Sequence, residues 1–233
     1  DDDKNETLNE LQNILKMNKF PRHIELFDNS NIQGASPISA MVTYIDGIKA
    51  PKDYRKYNVK TVVGADDYHT MQEVLTRRYT RVLKDNLRKP NLVIVDGGAL
   101  QVKAAKAVFK ELAINDIYIM GLEKDDRHRT RAIVTSDLVE IEIDKHSNLF
   151  LLLEAMQEEV HRFAITFFKE THTKNTFNSI LDEIDGIGKR RKMTLLNVFN
   201  SEEEMASASV EKLMSLGLPK KVAEQLLDKL NNK

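Results

Sequence analysis

The sequence contains no cysteine in its 233 residues. The chain can therefore form neither a disulfide nor a thiolate metal site, which fits a reducing compartment. No apolar run approaches the roughly 20 residues that a membrane helix needs, and no signal peptide opens the chain. These absences predict a cytoplasmic protein without a membrane partner.

An excess of charge of one sign is also missing, because 35 Lys and Arg face 36 Asp and Glu, for a net charge of -1. A general binder of polyanions shows a strong basic excess, so any contact with nucleic acid must come from local patches. Hydrophobic residues make up 41% of the chain. That content and the length suit a real core in one large or two small domains.

Hydrophobic periodicity predicts an α/β domain over residues 21–170, preceded by a short helix or tag remnant over residues 1–20. Three antiparallel strands are expected over 23–63, and a buried apolar strand begins at Leu92. A long helix is expected from Asn148 to about Glu170. Another helix, capped by Asp66 or Asp67, is expected to run to about Leu87, and its buried stripe is predicted to be Met71, Val74, Leu75, Val82 and Leu83.

The composition of the sequence changes after Glu170. The polar segment 171–176 is predicted to be a linker to a helical domain over 177–233. This tail contains a faint repeat, because "DGIGKRRKMTLL" (185–196) and "LGLPKKVAEQLL" (216–227) align at an offset of 31 residues. Each copy predicts a glycine turn between two short helices. Two such units would pack on each other, since neither can bury its apolar face alone.

Each glycine turn leads into a helix N-terminus, where unpaired backbone N–H groups and the helix dipole favour phosphate. Ordinary helical hairpins with solvated lysines are the alternative for each turn by itself. The repeat favours a tandem helix-hairpin-helix that grips DNA phosphates without reading bases. The candidate contacts are Gly186, Gly188, Lys189, Arg190, Arg191, Gly217, Lys220 and Lys221.

Two acids occupy unusual positions in the predicted sheet. Asp28 shares a strand face with Ile24 and Leu26, and Asp96 ends the apolar strand "LVIV". A carboxylate on a core-facing surface is costly unless something neutralises it, and a divalent cation between two carboxylates is a common solution. Taken alone, Asp28 could form a turn and Asp96 could cap the following helix.

Other candidates carry weaker signals. His161 lies in the long helix, where most histidines are surface or core residues, and Asp67 could simply be a helix cap. "VDGGALQ" has neither the spacing of a dinucleotide loop nor the lysine of a nucleotide triphosphate loop, so no small-molecule cofactor is expected.

Seven motifs in order resemble the C-terminal half of UvrC, the incision subunit of bacterial nucleotide excision repair. The resemblance covers the chain from about residue 21. The motifs are "ELFDNSNIQG", "YRKYNVK", "ADDYHTMQEVLTRRY", "LVIVDGGALQ", "DRHRTRA", "EEVHRFAI" and "DGIGKRRK".

The resemblance implies an RNase H-like mixed sheet with flanking helices, followed by the tandem helix-hairpin-helix domain. Asp28, Asp96 and His161 match the catalytic set of the family, and Asp67 matches a further acid. Asp28 and Asp96 would hold Mg²⁺ or Mn²⁺, with His161 as a further ligand or as a proton carrier. Ala99 stands where the family usually has lysine, so a phosphate contact there is lost or passes to a neighbour such as Lys103.

The resemblance also implies a function, which is the metal-dependent incision 5′ to a lesion. The expected partners are damaged or distorted DNA and UvrB. The segment that contacts UvrB and the family's second nuclease are expected to be absent from this fragment. The alternative is a non-catalytic RNase H-like scaffold that only binds DNA, which the change at Ala99 keeps open.

Overall fold

The computed structural model describes residues 2–30, 37–62, 66–127, 129–199 and 201–232, without the side chains of 167–178 and 197. Residues 31–34, 65 and 128 of the quoted motifs lie outside this part of the chain. The chain divides into two compact units, Asp1–Ile165 and Thr166–Lys233. The described residues include no helix that is long and apolar enough to cross a membrane.

The first unit is built on a mixed sheet of eight strands in the order β3-β2-β1-β5-β6-β7-β8, with β4 also paired to β2. β1, β5 and β6 are parallel neighbours in the centre, and the other pairings are antiparallel. The strands are β1 His23–Ser30, β2 Ile38–Ile45, β3 Ile48–Lys49, β4 Arg55–Asn58, β5 Leu92–Asp96, β6 Tyr118–Lys124, β7 Thr130–Val134 and β8 Glu140–Glu142.

Helices cover both faces of this sheet, which is why its central strands are apolar on both sides. One core joins the sheet to α2 and α3, and the other joins it to α1 and α4. The helices are α1 Asp2–Leu15, α2 Asp67–Lys84, α3 Ala99–Glu111, α4 Asn148–Asp182, α5 Lys189–Val198, α6 Glu202–Ala206, α7 Val210–Ser215 and α8 Lys220–Asn231.

Alternation along β1 places its side chains on opposite faces. Leu26 enters the core against α1 and α4, and Phe27 enters the core against α2 and α3. Asp28 therefore belongs to the face that α4 covers, as the sequence pattern predicts.

Two details of the helices differ from the sequence prediction. The stripe of α2 is buried as predicted at four positions, but Leu83 is 43% exposed and was wrongly predicted to be buried. Arg78 and Tyr79 are buried instead, because Glu25 on β1 provides polar partners for both. Residues 171–176, predicted to be a linker, lie within α4, which ends at Asp182 rather than near Glu170.

The buried acid Glu25 holds a polar cluster between β1 and α2. Arg78 donates to its Oε2 at 2.8 Å, and the Tyr79 hydroxyl donates to its Oε1 at 2.8 Å. His23 Nε2 lies 3.3 Å from Oε2. Burial by itself would raise the pKa of Glu25, but His23 and Arg78 hold that pKa below its ordinary value. Glu25 is therefore an ionised group inside the core that depends on its partners.

The second unit has its own hydrophobic core. Ile187 and Leu218, which are equivalent in the sequence repeat, are both buried in it, as are the equivalent Leu195 and Leu226. Each copy of the repeat thus contributes the same positions to one shared core.

Candidate active site and DNA-binding hairpins

Strand register brings Asp28 and Asp96 side by side. β1 and β5 are parallel, and Phe27 pairs with Val95. The next residue of each strand is one of the two acids, and both point to the face covered by α4. The two acids lie close enough for the charge of Asp96 to raise the pKa of Asp28.

Neither acid serves the local purpose that the sequence left open. Asp28 lies within β1 and pairs with Ala40 on β2, so it is a strand residue rather than a turn residue. The N-cap of α3 is Gly98, and no side-chain hydrogen bond caps this end of the helix. The carboxylate of Asp96 is directed elsewhere, so capping does not explain its presence.

The environment of Asp28 disfavours its charge. Its exposure is 8%. Burial and then the charge of Asp96 raise the pKa of Asp28 to about 7, and the charge of Asp67 contributes in the same direction. Lys124 opposes these effects. Asp28 and Asp96 therefore concentrate negative charge at one place, which attracts a cation.

Both oxygens of Asp96 have partners. Lys124 donates to Oδ2 at 2.8 Å, and the side-chain amide of Gln157 donates to Oδ1 at 2.9 Å. Gln157 is itself held by the hydroxyl of Thr130, which donates to its Oε1. Gln157 and Thr130 are buried, so this side of Asp96 is rigidly positioned.

α4 brings His161 to the same place. Its Nδ1 lies 3.8 Å from Oδ2 of Asp28, which is too long for a hydrogen bond. The imidazole is 63% exposed, so it is open to solvent and to a bound molecule. His161 follows Gln157 by four residues, and this spacing places both on one face of the helix.

The two acids that precede α2 have separate positions. Asp66 is the N-cap, and its Oδ1 accepts from the backbone N–H of His69 at 3.0 Å. Asp67 is the first residue of the helix and is exposed. The capping role considered for Asp67 therefore falls to Asp66. Asp67 lies near enough to Asp28 for its charge to affect that residue.

The donors at this site suit a hard divalent cation. Carboxylate oxygens are the ligands that Mg²⁺ and Mn²⁺ prefer, and two of them lie side by side beside an imidazole. Within the described ranges, no group of three or more His, Asp or Glu side chains is already arranged as a complete metal site. The residues fit a cation held mainly by Asp28 and Asp96.

The sequence prediction missed Lys124 and Gln157. Lys124 is the last residue of β6, and β6 is the parallel neighbour of β5. The final residues of the two strands therefore lie at the same end of the sheet. Gln157 could have been found from its spacing to His161. Neither signal was strong before the strand order was known.

The second unit forms two glycine hairpins at the predicted positions. Gly186 has a φ of +95° and Gly217 a φ of +101°, so both occupy the left-handed region that favours glycine. α5 begins at Lys189 and α8 at Lys220, three residues after each glycine. The equivalent conformations show that the sequence repeat is a structural repeat.

Basic side chains surround both helix starts. Lys189, Arg190, Lys220 and Lys221 are exposed. Arg191 instead donates to the carbonyl oxygen of Gly186 at 2.6 Å, so it braces the first turn. The surface can offer lysine and arginine side chains to phosphates beside two helix N-termini.

Three alanine substitutions should separate the effects of conformation and packing in these turns. Gly186→Ala should destabilise the second unit by about 2 kcal/mol or more, because its φ is positive and its Cβ would lie 2.7 Å from Val222. Gly217→Ala should cost about 1–2 kcal/mol from backbone strain. Gly188→Ala is the matched control, with a φ of -83° and open space around it. Urea unfolding measures all three, and equal losses would contradict this account.

Comparison with known proteins agrees with this architecture. The family model for the UvrC RNase H endonuclease domain matches residues 12–165, and a SAM-like helix-hairpin-helix tandem matches residues 179–232. The mixed sheet and the paired hairpins define an RNase H-like α/β domain followed by a tandem helix-hairpin-helix unit. The chain belongs to the family of the UvrC RNase H endonuclease domain.

Curated relatives share about half of the sequence. UvrABC system protein C of Streptococcus uberis is 48% identical over 96% of this chain and 38% of the relative. Its counterpart in Streptococcus equi subsp. zooepidemicus is 49% identical over 91% of this chain and 36% of the relative. The chain thus spans little more than a third of the length of these relatives.

Solved structures are more distant. Endonuclease V of Ciona intestinalis bound to an inosine-containing DNA is 15% identical over 54% of this chain and 59% of that chain, with a TM-score of 0.33. A score this low supports no argument about function.

Proposed function

We propose that the protein is a metal-dependent DNA endonuclease that makes the 5′ incision in bacterial nucleotide excision repair. The observation that carries the proposal is the placement of Asp28 beside Asp96 near the carboxyl ends of the parallel strands β1 and β5. Because the chain belongs to the family of the UvrC endonuclease domain, the reaction proposed for these two acids is the hydrolysis of a phosphodiester. The endonuclease domain would span 21–170 and the DNA-binding domain 177–233.

Asp28 and Asp96 would hold Mg²⁺ or Mn²⁺, with His161 as a further ligand or a carrier of a proton. When bound, the cation would neutralise the phosphate and lower the pKa of a water molecule. Gln157 keeps Asp96 oriented, and the exposed imidazole of His161 is placed to contact a bound molecule. Asp67 would add to the negative field that attracts the cation.

The hairpins would supply affinity without sequence preference. Phosphate contacts through backbone N–H groups and lysines suit DNA that is distorted by damage, because they do not read bases. In the cytoplasm the natural substrate would be a damaged duplex presented by UvrB, as the family resemblance implies.

Salt dependence should reveal the role of the hairpin lysines. Replacing Lys220 and Lys221 together with alanine should weaken DNA binding and reduce the slope of log K against log salt concentration by about 2. Lys229→Ala is the matched control at the other end of α8, where it pairs with Glu183. Fluorescence anisotropy of the full chain measures both. An unchanged slope in the double variant would remove the second hairpin from the proposed DNA interface.

Nicking of a duplex with an unpaired segment tests the proposed reaction. The chain should nick the labelled strand with Mg²⁺ or Mn²⁺ and should lose this activity in EDTA. Retained DNA binding without nicking, under both metals and with UvrB present, would support a non-catalytic scaffold instead.

A further inference from the structure

Lys124 makes an ion pair that differs from the ordinary ion pairs of the surface. Its Nζ lies 2.8 Å from Oδ2 of Asp96, and the two side chains are 33% and 4% exposed. The pair between Lys89 and Asp116 has the same distance, but its side chains are 39% and 47% exposed. Lys124 thus reaches from the surface to a carboxylate that is almost completely buried.

The two partners of Asp96 differ in how easily they could leave. Gln157 is buried and held by Thr130, so its amide is fixed on Oδ1. Lys124 is a flexible side chain with a charged end that water can reach. A cation that binds Asp96 would therefore compete with Lys124 for Oδ2, because that oxygen has the exchangeable partner.

Space for a displaced ammonium group lies next to the site. A cavity of about 720 Å³ is lined by Lys124, Arg129, Thr130, Gln157, His161 and two glutamates. The Lys124 side chain forms part of the cavity wall, so its Nζ can move into this space without a change of the backbone. The cavity also borders His161, so an ammonium group that left Asp96 would stay beside the candidate site.

We propose that Lys124 is a displaceable counter-ion of the active site. It neutralises Asp96 while no divalent cation is bound, and it turns to a phosphate oxygen of the DNA when a cation takes its place. This inference rests on the proposed function, since it needs a cation at Asp28 and Asp96. It accounts for a lysine at a site that must also accept positive metal ions.

Mn²⁺ binding to the full chain, measured by calorimetry without DNA, tests the competition. Lys124→Met should bind Mn²⁺ about tenfold more tightly, because removing the competing charge is worth about 1.4 kcal/mol. Lys124→Arg keeps the charge and should stay within about twofold of the unaltered chain. Lys89→Met breaks the matched surface pair and should leave the affinity for Mn²⁺ unchanged.

The rate of nicking of the duplex with an unpaired segment provides the second readout. Lys124→Met should cut at least about tenfold more slowly at saturating Mn²⁺, because a phosphate contact is lost. Tighter metal binding together with slower nicking supports the proposal. If Lys124 only held Asp96 in position, Lys124→Met would bind the metal more weakly. Unchanged or weaker Mn²⁺ binding, or nicking at the full rate, overturns it.

Asp96→Asn distinguishes this inference from the proposed function. If that substitution does not weaken Mn²⁺ binding by the chain, the cation is not at this site and the proposed function itself is wrong. If Asp96→Asn weakens binding and Lys124→Met does not strengthen it, only the role of Lys124 is wrong.

Discussion

Asp28→Asn is expected to abolish nicking and, at the same time, to make the protein more stable at pH 8. The substitution removes a ligand of the proposed cation, whose contribution of several kcal/mol corresponds to a loss of at least about 10³-fold in rate. It also removes a charge that the folded protein disfavours. An active-site acid that reduces stability is expected where a ligand normally compensates its charge.

The pH dependence of this effect follows from the pKa of Asp28, which burial and the charge of Asp96 raise from 3.8 to about 7. A raised pKa means that the folded state binds the proton more tightly than the unfolded state. Below about pH 4 both states are protonated, so the variant and the unaltered chain should be equally stable. The advantage of the variant should grow between pH 4 and pH 7, reaching about 1–3 kcal/mol above pH 7.

Urea unfolding between pH 4 and pH 8 in EDTA, combined with the nicking assay, checks both parts. Asp116→Asn is the matched control, because Asp116 is an exposed acid in a surface ion pair. DNA binding should survive in Asp28→Asn, since the hairpins are intact. A variant that nicks at the normal rate, or that is less stable at pH 8 than the unaltered chain, would contradict the assigned role.

Arg78→Met should give the largest loss of stability, about 3–5 kcal/mol, because it leaves Glu25 charged and buried without its main partner. Arg78 donates twice to this carboxylate, through Nε at 3.4 Å and through Nη2 at 2.8 Å. Tyr79 and His23 remain beside Glu25, but they do not replace the two hydrogen bonds of the guanidinium. The loss is measured by urea unfolding at pH 7.

The double variant with Glu25→Gln and Arg78→Met separates charge from packing. A neutral amide needs no cation, so the double variant should recover much of the stability that Arg78→Met loses. Arg77→Met is the matched control, because Arg77 pairs with Glu73 near the surface. Equal losses in the single and double variants would show that the volume of Arg78, and not its charge, stabilises this region.

The sequence predicted the main features of the fold because its patterns are local. The RNase H-like mixed sheet and the tandem hairpins are confirmed, and the offset of 31 residues correctly paired Gly186 with Gly217. The prediction that Leu83 is buried was wrong, because helical spacing alone cannot show where the edge of a buried stripe lies. The polar segment 171–176 suggested a linker, but polar residues are also compatible with a helix, and this segment lies within α4.

The geometry of the candidate site could be predicted only in part. Asp28 and Asp96 stood out because each follows apolar strand residues, and the family resemblance added His161. Their contact depends on the register of β1 against β5, which no local pattern fixes. The signals for Lys124 and Gln157 become strong only when β6 and α4 are placed beside that pair, since their sequences suit an ordinary strand end and helix surface.

Anomalous diffraction from a crystal soaked in Mn²⁺ tests the central claim most directly. The claim predicts a peak between Asp28 and Asp96, with at least one carboxylate oxygen of each within about 2.0–2.6 Å of the ion. The peak should disappear in Asp96→Asn crystals soaked in the same way. A saturating soak that leaves this position empty, or that places the ion away from both acids, would contradict the account.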